Sequence, residues 1–380
     1  MPKKRLVVFI DWFYPAYKAG GPVQSVFNLI QVLKDDYEIF VITGDRDLGD
    51  EQPFNSEVLN EWQDKGGYSV MYLSRSSLSY RRIKQVLIGT EPDHIYINGM
   101  FSWFFSICPL LINWQTKHLK STLITIAPRG MLLDSAVRKK TFKKQLFFGL
   151  SKPLFQASNI RFQATNLQEK ESVLKKYPDQ ICFVVNNLGK QILEVNQPLQ
   201  KQPGCLELVF ISRIDPIKNL RLLLELLHAL KGEVGLRIIG PIDDQEYWNS
   251  CQTLISSLPE NIRVQYMGPQ HPSMLGGFLQ SAHLFVLLTK GENFGHSILE
   301  SWMAGRPVLI SDQTPWKNLE SKGVGFDLPL DHREQIISTL TKAISWDQAD
   351  FDRYSQESWK FAAQYLKEDL NKVKYYEIFA

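Results

Sequence analysis

The feature that most constrains this chain is a rhythm of short apolar, β-prone runs separated by stretches of helical period. Seven such runs fall in the first half, at 5–10 (RLVVFI), 37–43, 69–73, 93–98, 121–127, 161–165 and 181–185. Five more follow, at 206–212 (LELVFIS), 235–240, 263–268, 283–289 and 306–311. Between them lie amphipathic segments such as NLRLLLELLHALKG at 219–232. A strand with one wet face alternates apolar and polar residues, whereas these runs are nearly continuous. They therefore fit parallel sheets covered by helices on both faces. The rhythm breaks once, at GKQILEVNQPLQKQPG (189–204), which is rich in Pro, Gly, Gln and Asn and reads as a linker. With 380 residues, too many for one ordinary core, the expectation is two Rossmann-like, doubly wound α/β domains facing a cleft. The boundaries are 1–190, a linker at 191–204, a second domain at 205–350 and a terminal helix at 351–380.

Charge is uneven along the chain. Lys and Arg against Asp and Glu give 25 − 18 = +7 for residues 1–195 and 18 − 22 = −4 for residues 196–380. The basic half suits an anionic partner such as a membrane surface or a phosphorylated acceptor. Cys108, Cys182, Cys205 and Cys251 form no Cys-x-x-Cys pair, which fits a reducing, cytosolic compartment. The N-terminal apolar run is too short for a signal peptide. The longest apolar stretch, Met100 to Ile112, has 13 residues, where a spanning helix needs about 20. It is expected as a buried helix, with an interfacial helix as the alternative.

Four motifs can carry chemistry. KGENFGHSILE (290–300) places a tight turn at Gly295 between an apolar strand and a helix start, a ready anion site. Glu292 lies in that loop, and Glu300, one turn into the helix, can accept from a ribose diol. Ser297 and Glu300 also fit a capping box, which by itself accounts for Glu300 equally well. SRIDPIKNL (212–220) sets Arg213 and Lys218 across a Pro-containing turn, two cations suited to a diphosphate; a solvated basic turn is the plain alternative. AYKAGGPVQS (16–25) follows the first strand, and Gly20 and Gly21 allow close backbone approach. APRGMLLD (127–134) is followed by a stretch with Arg138, Lys139, Lys140, Lys143 and Lys144 between large apolar residues. That stretch suits a helix lying on an anionic membrane, or equally a solvated face. Asp45-Arg46-Asp47 has the D-x-D spacing of a metal site but reads as a solvated loop, and the histidines lack ligand spacing. No G-x-G-x-x-G, Walker A or G-x-S-x-G motif occurs, and nothing accompanies the basic patch to suggest nucleic acid.

Taken together, ENFGHSILE as an E-x7-E element, SRIDPIKN as an Arg-x4-Lys element and GGP in the first loop make the chain resemble the retaining glycosyltransferases of family 4. These have the GT-B fold, and the similarity is to members of the bacterial surface-polysaccharide type, such as those serving lipopolysaccharide. The resemblance implies an acceptor-binding N-terminal domain, a nucleotide-sugar-binding C-terminal domain and a terminal helix that crosses back to the first domain. It implies transfer of a sugar from a UDP- or GDP-linked donor to a glycan or lipid-linked glycan, with retention, no metal and no cofactor. By position, Glu292, Arg213 and Lys218 would be catalytic. Glu300, Gly295, His296, Ser297, Ile298, Gly20 and Gly21 would bind donor, the backbone N–H groups of residues 295–298 surrounding its phosphates. Arg129 and Gly130 stand in a loop where many members carry His; Arg129 stays protonated, so it would bind acceptor and not serve as a base. Asn219 stands where Gly is frequent. The expected location is cytosolic, peripheral on the inner face of the membrane. The alternatives are a nucleotide-sugar epimerase of the same architecture and a non-catalytic nucleotide-sugar or glycan-binding protein.

Overall fold

The computed structural model describes residues 3–132, 151–157, 159–189, 198–367 and 371–379. The chain divides into two compact units. One holds the chain up to Leu188 together with the final helix, Asn371–Phe379. The other runs on from Gly189 and includes the helix Gln348–Lys367.

The first unit is an eight-stranded sheet: β1 (Lys4–Phe9), β2 (Tyr37–Gly44), β3 (Trp62–Asp64), β4 (Ser69–Leu73), β5 (His94–Asn98), β6 (Leu123–Ala127), β7 (Ile160–Ala164) and β8 (Ile181–Val184). The order is β3-β4-β2-β1-β5-β6-β7-β8, parallel throughout except for β3 against β4. The burial of β1 explains its unbroken apolar sequence. Val7 and Phe9 enter one core layer while Leu6 and Val8 enter the other, because successive side chains point to opposite faces. The final helix closes the second layer, adding Tyr375, Ile378 and Phe379 to residues of β1, β2 and the helix α1 (Gly21–Leu33).

The second unit is a wholly parallel six-stranded sheet: β9 (Cys205–Ile211), β10 (Glu233–Ile239), β11 (Ile262–Tyr266), β12 (Leu284–Leu287), β13 (Val308–Ser311) and β14 (Gly325–Leu328). The order is β11-β10-β9-β12-β13-β14. In each sheet the winding reverses beside the unit's first strand, between β1 and β5 and between β9 and β12. Open α/β sheets bind ligands beyond the carboxyl ends of strands at such a reversal. Two parallel α/β domains of this kind constitute the GT-B fold.

The structure adds to the sequence reading at several points. Strands β3 and β14 carry too little apolar signal to be seen beforehand: β3 is a three-residue antiparallel edge, and β14 is four residues containing an Asp. The described part of 351–380 is helical, with Gln348–Lys367 belonging to the second unit and Asn371–Phe379 to the first. The stretch at 100–112 is a turn of π-helix, Trp103–Ile107, running into the helix Cys108–Gln115, and it is largely buried as expected, with Trp103 and Trp114 exposed. The basic stretch Arg138–Lys144 and most of the linker lie outside the described residues. No helix among the described residues is long and apolar enough to cross a membrane.

Candidate active site

The two loops flanking the winding reversal of the second unit are those after β9 and β12, and they carry the Arg-x4-Lys and E-x7-E elements. Asp215 folds the first loop: its carboxylate accepts from the N–H groups of Ile217 (2.7 Å) and Lys218 (3.0 Å), an Asx-turn ahead of Pro216. Asn219 then takes the left-handed conformation (φ 57°) and donates from its side chain to the Leu288 carbonyl, 3.0 Å away, at the end of β12. Asn tolerates that conformation, so it serves in place of Gly and adds a tie between the loops. Two more ties come from Ile217, whose carbonyl accepts from Lys290 N (2.7 Å) and Thr289 Oγ1 (3.1 Å).

These ties bring Lys218 and Glu292 together: Nζ lies 2.6 Å from Oε2, across 74 residues of chain. Arg213 stands on the same loop, 3.0 Å from Asp243 and 3.6 Å from Asp215. Burial alone would raise the Glu292 carboxyl. The Lys218 charge and hydrogen bond, with His296 and a Phe294 backbone N–H, more than offset it and hold the group below the usual carboxylate range. Glu292 therefore stays ionised, able to accept from hydroxyls, beside a cation able to meet a phosphate.

The helix His296–Met303 starts on Gly295, which caps it at φ 80° with no side-chain cap bond. A Cβ there would stand 2.6 Å from the Ile298 side chain. The capping-box account of Ser297 and Glu300 is thereby overturned, because Ser297 lies inside the helix and not at its cap. A second correction concerns Ile298. Its N–H already donates to the Gly295 carbonyl at 3.0 Å, so it is not offered to a ligand. Gly295, His296 and Ser297 stand at the start of this helix.

In the first unit, the Asp45-Arg46-Asp47 segment is not a solvated loop. Asp45 and Asp47 are 3% and 4% exposed. Asp47 accepts from the N–H groups of Tyr17 (2.8 Å), Lys18 (3.1 Å) and Leu48 (2.7 Å), while Lys18 Nζ pairs with Asp50 at 2.5 Å. The carboxylate thus pins the base of the loop that carries Gly20 and Gly21 into α1. Replacing Asp47 with Ala should strip three backbone donors of their partner, cost about 1–3 kcal/mol of stability and speed amide exchange at Tyr17 and Lys18. Hydrogen-exchange mass spectrometry across 10–20 checks this, with unchanged protection counting against it.

Arg129 is drawn inward. Its Nε donates to Asn98 (2.7 Å), one terminal nitrogen to Asn187 and the other to the Tyr96 hydroxyl (2.8 Å). Burial works against its charge, but Tyr96, Tyr375 and Glu169 outweigh it, so the guanidinium stays protonated. Gly130 N donates to the buried Glu169 at 2.5 Å. The structure thus ties both expected acceptor residues into an internal network that joins the ends of β5, β6 and β7 to the final helix through Gln163 and Tyr375. Asp215, Asn219, Asp47 and Thr289 were not singled out as site-forming by sequence reasoning; the Asp-Pro pair after β9 was the available signal. Among the described residues, no three His, Cys, Asp or Glu side chains are grouped to hold a metal.

Comparison with known proteins points to the glycosyltransferases. Residues 193–350 match the family of glycosyl transferases group 1. A GDP-mannose:cellobiosyl-diphosphopolyprenol alpha-mannosyltransferase from Xanthomonas campestris is 23% identical over 370 residues, covering 95% of this chain and 93% of its own. Among solved structures, sucrose-phosphate synthase from Thermosynechococcus elongatus superposes with a TM-score of 0.71 at 14% identity, covering 99% of this chain and 98% of its own. HepE of Anabaena, in complex with UDP and glucose, gives 0.67 at 14% identity, with 98% of each chain covered. The match to the group 1 glycosyl transferases thus lies in the second unit, and over its length the chain is similar to glycosyltransferases.

Proposed function

We propose that the chain is a retaining, metal-independent hexosyltransferase. It moves a sugar from a UDP- or GDP-linked donor to a glycan or lipid-linked glycan acceptor in surface-polysaccharide synthesis, on the cytosolic side of a membrane. The observation that carries this reading is the contact of Lys218 with Glu292 across the two loops, with Arg213 on the same turn. The relative's printed name, a GDP-mannose donor and a diphosphopolyprenol-linked glycan acceptor, supports the donor class and the acceptor type. The family match favours transfer over the epimerase and binding-protein readings.

In this reading the donor diphosphate draws Lys218 toward itself, Arg213 supplies a second cation, and Glu292, released from its lysine, accepts from donor-sugar hydroxyls. The N–H groups at the start of the helix His296–Met303 face the phosphates, and Glu300 accepts from the ribose. Gly20 and Gly21 meet the donor. The sugar C1–O bond to phosphate breaks as the acceptor oxygen bonds to C1 on the same face. The acceptor proton passes to a diphosphate oxygen, and the nucleoside diphosphate leaves. Fixed cations and N–H dipoles match the charge that grows on the leaving group.

Incubation with UDP- and GDP-hexoses and a polyprenyl-diphosphate glycan, with NMR of the new linkage, tests the reading. Retained anomeric configuration in the presence of chelator is the expected result; inversion, or metal dependence, overturns it. Glu300→Ala should raise the donor KM roughly tenfold with a smaller change in kcat, as uniform binding contacts do.

A further inference from the structure

The turn that carries Glu292 is held from one side by the end of β13 and the loop after it. Ser311 Oγ donates to the Thr289 carbonyl at 2.5 Å, the Gln313 carbonyl accepts from Glu292 N at 3.0 Å, and the Trp316 indole N–H donates to the Phe294 carbonyl at 2.5 Å. The last tie falls at a critical place. The N–H groups of Asn293 (3.1 Å) and Phe294 donate to the Glu292 carboxylate, and the Phe294 carbonyl begins the peptide to Gly295, the cap of the helix His296–Met303. Trp316 is itself fixed. It is 8% exposed, its backbone N–H donates to Thr314 Oγ1 at 3.2 Å, and its ring centroid lies 5.6 Å from Phe294, 4.9 Å from Trp302 and 5.1 Å from Tyr365 of the helix Gln348–Lys367. A Phe or Leu would also fill such an apolar site. What an indole adds is one N–H that needs a partner when buried, and here it is spent on the backbone between Glu292 and the helix cap.

We propose that Trp316 is a positioning residue for the donor's sugar: through the Phe294 carbonyl it fixes the Glu292 carboxylate where hexose hydroxyls can donate to it. This rests on the role given to Glu292 above. Lys218 and Arg213 stand on the loop after β9, which Asp215 folds, so the diphosphate is met without Trp316. The sugar is met by a carboxylate whose direction follows the peptides from Glu292 to Gly295. A hydrogen bond weakens steeply once it lengthens past about 3.2 Å or bends. Freeing the Phe294 carbonyl therefore costs the enzyme its grip on the hexose while leaving its grip on the diphosphate.

The test is calorimetric titration of the full chain, without acceptor, with UDP, GDP and the corresponding UDP- and GDP-hexoses. Trp316→Phe keeps a ring and removes the indole N–H. It should bind the hexose donor at least about tenfold more weakly, the scale of one lost hydrogen bond to a charged group, and the bare diphosphate within about threefold of wild type. Trp302→Phe is the matched control, since Trp302 also donates a buried indole N–H, at 2.8 Å to the Val324 carbonyl, and also packs on Trp316. It should lower the melting temperature comparably and leave both affinities unchanged. The wild-type chain supplies a second measurement that needs no variant: the hexose donor should slow amide exchange at 311–319 together with 289–298, beyond what the bare diphosphate does. Unchanged donor affinity in Trp316→Phe, equal losses for donor and diphosphate, the same pattern in Trp302→Phe, or no added protection at 311–319 would each overturn the proposal and leave Trp316 a packing residue. A wild-type chain that binds none of these nucleotides would instead overturn the donor reading on which the proposal rests.

Discussion

Lys218→Met should lower kcat/KM for transfer by at least about 100-fold, the scale of losing one charge-stabilising donor to a developing anion. It should also change how the enzyme responds to pH. In the native chain Lys218 holds the Glu292 carboxyl below its ordinary value. The stability that the pair contributes is therefore present above the ordinary carboxylate pKa and is lost as pH falls through the depressed one. Without the lysine, burial acts on Glu292 with less opposition and its pKa rises, so the acid limb of the pH–rate profile should move to higher pH. Stability near neutrality should fall by about 1–3 kcal/mol, the cost of an ionised group left without its partner in a mostly buried position. The double variant Lys218→Met/Glu292→Gln separates the two effects. It removes the orphaned charge and should recover most of the stability, while transfer stays low because the diphosphate still lacks its cation. Activity within a few-fold of wild type in Lys218→Met would remove both this pair and the donor assignment built on it.

The alternation of apolar runs and helical segments made the sheets legible in advance because each central strand is buried on both faces. Where burial is partial the signal fades. β3 has no fully buried residue, and β14 is held in part by Asp327, which accepts from the N–H groups of Asn318 and Leu319 instead of packing as an apolar residue. The two principal motifs were legible through their charges, but the residues that shape them were not. Asp215 acts through backbone N–H groups, and Asn219 acts through a left-handed φ and one carbonyl; neither leaves a periodic trace. Asp47 misled for the same reason. Its neighbours are polar, so the segment reads as wet, whereas a carboxylate that collects three backbone N–H groups can be buried at little cost. The Ser297–Glu300 pair misled in the opposite direction, since its spacing fits a cap that Gly295 provides instead.

Gly240→Ala tests whether the strand end beneath Arg213 is rigid. Gly240 follows β10 with φ 142°, and an added Cβ would stand 2.0 Å from the Ser212 carbonyl oxygen. That obstacle is backbone and is fixed on each side: Ser212 N donates to Ile239 O at 3.0 Å, and Ile214 N donates to Pro241 O at 2.9 Å. The methyl group can be accommodated only by parting the ends of β9 and β10, and Ser212 is the residue before Arg213. The expected cost is about 3 kcal/mol or more, a fall in melting temperature of several degrees, and donor affinity at least about tenfold weaker because the Arg213 backbone moves with the strand. Gly235→Ala is the control within the same strand. Its Cβ would meet the Glu207 carboxylate at 2.4 Å, but that is the end of a flexible, partly exposed side chain that can swing away, so the loss should stay within about 1 kcal/mol. The contrast between the two variants isolates position from composition, since both add one methyl group to β10 or its end. If Gly240→Ala matched Gly235→Ala in melting temperature and donor affinity, the end of β9 would yield freely, and a fixed position for Arg213 could no longer explain how the loop meets a diphosphate.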